Sequence, residues 1–290
     1  GRLPTRSRAG RAGMSVYTAI CSGALFPLHE RLKGHASVAV RERLERSQWL
    51  PREVIESERV DRLRRFLVDA GTRVPYYREL FASHRFDPQR VLAVVGSVVD
   101  ADLAAQAVAD AVARFGAVHG LVNNAGITRP AMIDKMTARQ WQDVIDVHLT
   151  GTFYWLQATG RHMLARARGG DTTGGAIVNI SSDAGRKGSI GQINYAAAKA
   201  GMLGMTMTAA REWGKFNIRT NSICFGVVET PMTEVVRGEK FRDGLLAQIP
   251  MARWSTPQEV VKTVCFLLSD GASYITGQHL AVNGGFHISL

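Results

Sequence analysis

Three residues of this 290-residue chain, Ser182, Tyr195 and Lys199, have the types and spacing of a proton-transfer site. Tyr195 and Lys199 stand four apart in Asn194-Tyr195-Ala196-Ala197-Ala198-Lys199, a helical spacing that puts both on one face. A free tyrosine, with a pKa near 10, is a poor acid or base at neutral pH. A lysine ammonium within about 4–6 Å favours the phenolate and brings that value down. Ser182 follows the apolar run Ala176–Ile180, at the end of an expected strand, where the ligand-facing residues of α/β sheets collect. Its hydroxyl can hold a carbonyl or alcohol oxygen beside the tyrosine, so the trio suits proton transfer at that oxygen. A tyrosine–lysine pair at this spacing also arises by chance on helix surfaces. The surrounding elements decide between the two.

From Val91 onward short apolar runs alternate with amphipathic stretches. Strands are expected at Val91–Val95, Gly120–Val122, Ala176–Ile180, Ile218–Ile223 and His279–Val282. Helices are expected at Ala101–Phe115, Ala138–Leu164, Gln192–Trp213 and Pro257–Leu268, the last with proline at its first turn, where a missing N–H costs little. This alternation predicts a parallel sheet covered on both faces. Residues 14–90 differ: Leu44, Trp49, Val54, Ile55, Leu63, Phe66 and Leu67 fall roughly at helical spacing, and no convincing strand appears.

Composition removes several classes. With 46% hydrophobic and 21% charged residues the chain is globular. It has no apolar run of about 18 residues, so no transmembrane helix is expected. Cys21, Cys224 and Cys265 are widely spaced and form no CxxC pair. A disulfide scaffold and a metal site are therefore not expected, and a reducing, cytoplasmic compartment is. The net charge of +11 is concentrated: residues 1–90 hold 18 of the 36 Lys and Arg but only 10 of the 25 acids. Residues 1–13, with Arg2, Arg6, Arg8 and Arg11 and no acid, read as a disordered basic arm. That composition is also Arg- and Ser-rich in the manner of a transit peptide, but nothing marks a cleavage point. A pI near 10.1 suggests nucleic-acid binding only as charge. No recognised motif accompanies it, so no specific nucleic-acid partner is expected.

The segments around the trio resemble, in order, the motifs of the classical short-chain dehydrogenase/reductase family. They are Gly120–Ile127 (GLVNNAGI), Ala176–Ser182 (AIVNISS), Gly191–Gly201 (GQINYAAAKAG), Asn221–Met232 (NSICFGVVETPM) and Gly277–Gly285 (GQHLAVNGG). The resemblance spans residues 91–290 and is nearest the 3-oxoacyl-carrier-protein reductase and acetoacetyl-CoA reductase branch. It implies an NAD- or NADP-dependent oxidoreductase that moves a hydride to or from a ketone or alcohol such as a 3-oxoacyl thioester. Ser182, Tyr195 and Lys199 fall on the family's catalytic residues, and His148 falls where the family has a catalytic asparagine. Asn123, Ala125 and Gly126, with Tyr195, Lys199, Gly226, Val228 and Thr230, fall on cofactor-binding positions. Gln192 falls where some members touch substrate. Ala138–Leu164 and Gln192–Trp213 resemble the family's dimer-forming helices, which implies a homodimer or homotetramer.

The chain departs from the family in four places. His148 replaces the asparagine that helps hold a water beside the lysine; histidine can also donate or accept. Phe225 stands where proline usually precedes glycine, and Ser97 where an aspartate usually meets the adenine. The family's opening strand–TGxxxGxG–helix unit has no counterpart before Val91; its glycines let the backbone approach a pyrophosphate at a helix N-terminus. The expected fold is therefore α/β, an incomplete Rossmann-like doubly wound parallel sheet lacking its first βαβ unit, with a helical N-terminal extension. The Gly120–Val122 strand should then show an unpaired edge beside the cofactor crevice. Residues 14–90 resemble instead the N-terminal segment of phenylacetate-CoA ligase-like adenylating enzymes, the group that includes CapK-type proteins. That resemblance rests on Pro27–Glu30, Arg46–Leu50 and Val74–Phe81, and it includes none of that group's ATP-binding motifs. Two functions follow: an active NAD(P)-dependent reductase, or a truncated or chimeric member that only oligomerises.

Overall fold

A computed structural model describes residues 91–288 continuously and scattered positions between Val54 and Ala82. The expectations for residues 1–13 and for most of 14–90 lie outside the described residues. The chain divides into two units, Gly1–Ala93 and Val94–Leu290. In the first, the described positions are helical. They carry exposed pairs one turn apart, Arg62 with Glu58 at 3.1 Å and Arg73 with Asp69 at 2.5 Å. Exposed pairs of this kind contribute little, about 0.3–0.5 kcal/mol each.

The second unit is built on four parallel strands in the order β1-β2-β3-β4: Gly120–Asn123, Gly175–Ser182, Ile218–Phe225 and His279–Val282. Gly120 lies opposite Ala176, Gly175 opposite Ile218 and Ser222 opposite His279. The central pair reads as near-continuous burial rather than alternation, as parallel strands covered on both faces must. Five longer helices of this unit concern the site: α1 Ala101–Phe115, α2 Ala138–Ile145, α3 Gly151–Arg168, α4 Ile193–Trp213 and α5 Pro257–Leu268. Leu156 and Met163 of α3 and Ala209 of α4 pack with Ile177 and Ile218 on one face. Leu267 of α5 packs with Val178, Ile180 and Ile223 on the other. Each fully buried Ile, Leu or Val stabilises the fold by about 1.5–3 kcal/mol.

Local chemistry sets the helix ends. Asp100 accepts from the N–H groups of Asp102 and Leu103 at the start of α1. Thr137 with Gln140 and Thr256 with Glu259 form capping boxes for α2 and α5. The helix expected without interruption over Ala138–Leu164 instead contains a π-helical turn, Asp146–Thr150, between α2 and α3. Such turns insert an extra residue and are frequent at functional sites.

The strand expected at Val91–Val95 does not form: residues 91–95 carry no regular structure, and Val94 and Val95 are 40% and 39% exposed. An apolar run becomes a strand only with a neighbour to share its ladder, and among the described residues the only strand paired with β1 is β2. Among the described residues the far side of β1 is unpaired.

Candidate active site

The carboxyl ends of β2 and β3 and the first two turns of α4 meet at one place. Ser182 is the last residue of β2 and lies opposite Phe225 of β3. Tyr195 and Lys199 lie on the α4 face that packs on β2 and β3. Asn194, fully buried, fixes where this helix starts. Its side-chain N–H group donates to the carbonyls of Arg129 (3.1 Å) and Gln140 (2.8 Å), and its oxygen accepts from the Tyr195 N–H (2.8 Å). Sequence reading passed over Asn194, although an asparagine immediately before the tyrosine is the visible signal of such an anchor.

Ser182 lies beside Tyr195, and its hydroxyl accepts from the Ala184 N–H at 3.2 Å. Burial pushes the Tyr195 phenol above its usual value, and the Ser182 contact draws it back in part. Lys199 is 3% exposed. Its ammonium donates to the Ile180 carbonyl at 2.5 Å, lies 3.6 Å from the Met202 sulfur, and stands 5.6 Å from the centre of the Tyr195 ring. Burial lowers the lysine to about 7. Burial thus moves the tyrosine up and the lysine down, opposing the drop in the tyrosine that a nearby ammonium produces.

His148 comes from the π-helical turn, is 1% exposed, and meets the Tyr195 ring edge-on at 5.1 Å. Its Nε2 is 2.7 Å from the Ile127 carbonyl and 3.0 Å from the Ile127 N–H. One ring nitrogen serves one of these at a time. Donation to the nearer carbonyl leaves Nδ1 as a lone-pair acceptor, buried and without a partner. Burial, then the nearby Lys199 charge, lowers His148 to about 4, so the ring is neutral at physiological pH. Gly126 is required here: a Cβ at that position would lie 2.5 Å from the imidazole Cε1.

The remaining predicted positions divide into two sets. Asn123 is drawn inward, donating to the Asn179 side chain at 2.9 Å, which in turn donates to Thr206 at 2.9 Å. Asn123 and Ala125 line a hollow of about 250 Å³ with Val98, Val147 and Trp155, along the open edge of β1. The Trp155 indole N–H in this wall has no partner. On the other side, Gly226 packs against Asn283, Val228 bridges to Ser255, and the Val228 carbonyl accepts from the Thr233 hydroxyl at 2.5 Å. Thr230 caps the turn that follows. Gln192 precedes α4 and serves its backbone, with its carbonyl accepting from Ala196 N–H. Phe225 joins the Ile223 core cluster. The Ser97 hydroxyl accepts weakly from Val99 N–H at 3.4 Å. Among the described residues no group of three His, Cys, Asp or Glu side chains could hold a metal ion, and no helix is long and apolar enough to cross a membrane.

The hollow beside Asn123–Ala125, lined mainly by Val98, Leu121, Val122, Val147 and Trp155, would take a flat, largely apolar part of a nicotinamide dinucleotide. No glycine-rich turn follows a strand into a helix near it among the described residues.

Comparison with known proteins agrees with this geometry. A family model described as Enoyl-(Acyl carrier protein) reductase matches residues 79–287, and so begins before Val91. A 3-oxoacyl-[acyl-carrier-protein] reductase of Thermotoga maritima is 42% identical over 201 residues, 69% of this chain and 79% of that one. The enzyme of the same name from Staphylococcus aureus is 40% identical over 196 residues, 68% and 77% of the two chains. An acetoacetyl-CoA reductase of Rhizobium meliloti is 46% identical over 184 residues, 62% and 74%. The crystal structure of a short-chain alcohol dehydrogenase from Sinorhizobium meliloti is 33% identical, with a TM-score of 0.62, covering 67% of this chain and 75% of its own. The chain belongs to the short-chain dehydrogenase/reductase family, a family of NAD(P)-dependent oxidoreductases.

Proposed function

We propose that this chain reduces the ketone of a 3-oxoacyl thioester to the 3-hydroxy compound. The observation that carries the reading is Tyr195 beside Ser182 at the end of β2, with the buried Lys199 ammonium 5.6 Å from the centre of its ring. Relatives named for reduction of 3-oxoacyl and acetoacetyl thioesters support the substrate class.

Ser182 donates to the substrate's carbonyl oxygen and aligns it with Tyr195. The Tyr195 phenol then supplies a proton to that oxygen, because burial keeps it protonated. Lys199, near 7, is half protonated at neutral pH and can replace the proton. His148 holds Ile127 and braces the tyrosine ring, and its free Nδ1 accepts a hydrogen bond in the same buried space. Asn123, Ala125 and Gly126 on one side, and Gly226, Val228 and Thr230 on the other, are the residues that would hold the dinucleotide, together with Tyr195 and Lys199. When bound there it supplies the hydride that the carbonyl carbon receives. Gln192, which precedes α4, is the residue that would meet the substrate. A homodimer or homotetramer in the cytoplasm completes the reading. It has support from the exposed Trp141, Phe153 and Met207 on α2, α3 and α4.

The test is consumption of NADPH or NADH with an acetoacetyl thioester and the intact chain. Formation of the 3-hydroxy product in step with nicotinamide oxidation is expected. A folded chain that binds neither nucleotide and yields no product would instead favour a member that only oligomerises.

A further inference from the structure

The strand ends around the site are joined by a pair of side chains that the proton-transfer chemistry does not use. Asp183 follows Ser182 directly and is 2% exposed. Its Oδ2 accepts from the Asn283 amide at 2.7 Å, while Oδ1 has no hydrogen-bond partner. Burial raises this carboxyl, and the Asn283 contact opposes the rise. Its backbone is fixed as well: the Asp183 N–H donates to the Phe225 carbonyl at 3.1 Å.

Asn283 begins the segment after β4 and is saturated. Its amide also donates to the His287 carbonyl at 3.0 Å, and its oxygen accepts from Gly285 N–H at 3.0 Å. It touches the other wall of the site too. A Cβ on Gly226 would lie 2.8 Å from the Asn283 Cβ, and the Gly226 N–H donates to the neighbouring Val282 carbonyl at 3.2 Å. A second tie runs in parallel, with the Lys187 ammonium 3.1 Å over the Phe286 ring. One asparagine therefore meets both the loop that begins at Ser182 and the loop that begins at Gly226. On the far side of the first loop, Gly185 packs so closely on the Lys199 backbone that a Cβ there would approach it to 2.7 Å.

We propose that Asp183 and Asn283 are a positioning pair that sets the Ser182 hydroxyl against the Gly226–Thr230 loop. The proposal rests on the ketone-reduction reading for its kinetic consequence. A buried, charged hydrogen bond that joins two loops holds their relative placement more tightly than either loop's own turns. A displacement near 1 Å at a reacting group can cost about a hundred-fold in rate. Loss of the Asp183 carboxylate frees the Ser182 loop, while the Gly226–Thr230 loop keeps its backbone bonds to Val282 and Ser255, so the pair acts on turnover through Ser182 and leaves the dinucleotide contacts on both walls in place.

The test is a double-mutant cycle on the full chain, with kcat and KM measured separately. Asp183→Ala is expected to lower kcat about ten-fold with the dinucleotide KM changed less than about two-fold. Asp183→Asn, whose amide oxygen still accepts from Asn283, should restore most of it. In a Ser182→Ala background Asp183→Ala should cost nothing further, because the group it positions is gone. An unchanged kcat in Asp183→Ala, or an equal loss in the Ser182→Ala background, overturns the proposal. Should the wild-type chain turn nothing over, the reduction reading fails and amide exchange decides this one separately. Asn283→Ala should then speed exchange at the Asp183 and Gly226 N–H groups and leave Val178 unchanged, and equal exchange at all three overturns the pair. If Asp183→Ala does not fold, Asn283→Ala and Asp183→Asn carry the same comparison.

Discussion

The two sides of the sheet are built to different standards. At β2 and β3 both ladders are made and both faces are covered, and their carboxyl ends, with that of the edge strand β4, deliver Ser182, Asp183, Phe225, Gly226 and Asn283 into a hydrogen-bonded cluster. At β1 the ladder is made on one side only among the described residues, Val122 is 40% exposed, and the Val91–Val95 run that precedes it stays irregular. The residues proposed for proton transfer draw on the first region, while those proposed for the dinucleotide draw on both, Asn123, Ala125 and Gly126 at the end of β1 and Gly226, Val228 and Thr230 after β3. The contrast teaches that neighbouring parts of one crevice can rest on strands with unequal support.

The largest effect should come from the completed side. Tyr195→Phe removes the phenol proposed to protonate the substrate oxygen and should lower kcat by about 10²–10⁴-fold. Thermal melting should barely change, and nucleotide affinity should fall no more than a few-fold, far less than kcat. An active Tyr195→Phe enzyme would break the comparison, since the well-built region would then not be the working one.

Next in size is the lysine. With Lys199 near 7 in the fold, the ammonium that reprotonates Tyr195 is lost as pH rises through about 7. Ketone reduction should therefore fall above that value and alcohol oxidation should rise. Lys199→Met should remove this inflection along with about a hundred-fold of rate. A flat wild-type profile between pH 6 and 8 would contradict it.

His148 contributes to stability with the opposite pH sense. Its pKa is lowered from 6.5 to about 4, so the unfolded chain takes up a proton that the folded one refuses. Stability is full above about 6.5 and should decline as pH falls toward 4. Chemical denaturation across that range checks this, and His148→Asn should flatten the decline.

The smallest predicted effect sharpens the comparison from the other side. Ile177→Ala in the paired β2, 1% exposed, should cost about 2–5 kcal/mol of unfolding free energy. Val122→Lys on the open strand should change it by less than about 0.5 kcal/mol. A large loss at Val122 would mean that the edge is covered after all.

Much of this was legible in the residues. Strand and helix runs from Ala101 onward matched to within a few residues, because each carries a period or a punctuating Gly, Pro or cap. The grouping of Ser182, Tyr195 and Lys199 followed from a strand end and a helical i, i+4 pair. Four things were not legible. The Val91–Val95 run has the composition of a strand, but composition does not supply a neighbour. The π-helical turn at Asp146–Thr150 has no residue-level signature, so the inward aim of His148 was hidden. The direction in which burial would push Tyr195 and Lys199 depends on how completely the helix closes over them, which spacing does not reveal. The Asp183–Asn283 bond joins residues 100 apart in sequence, which no local pattern records.

The most direct measurement is a fluorescence titration of the purified chain with NADH and NADPH, with Tyr195→Phe alongside. Micromolar binding of at least one nucleotide by both proteins, with turnover of a 3-oxoacyl thioester by the wild type alone, is the predicted result. A folded chain that binds neither nucleotide up to millimolar concentration would contradict it, leaving the Ser182–Tyr195–Lys199 site without a hydride to use.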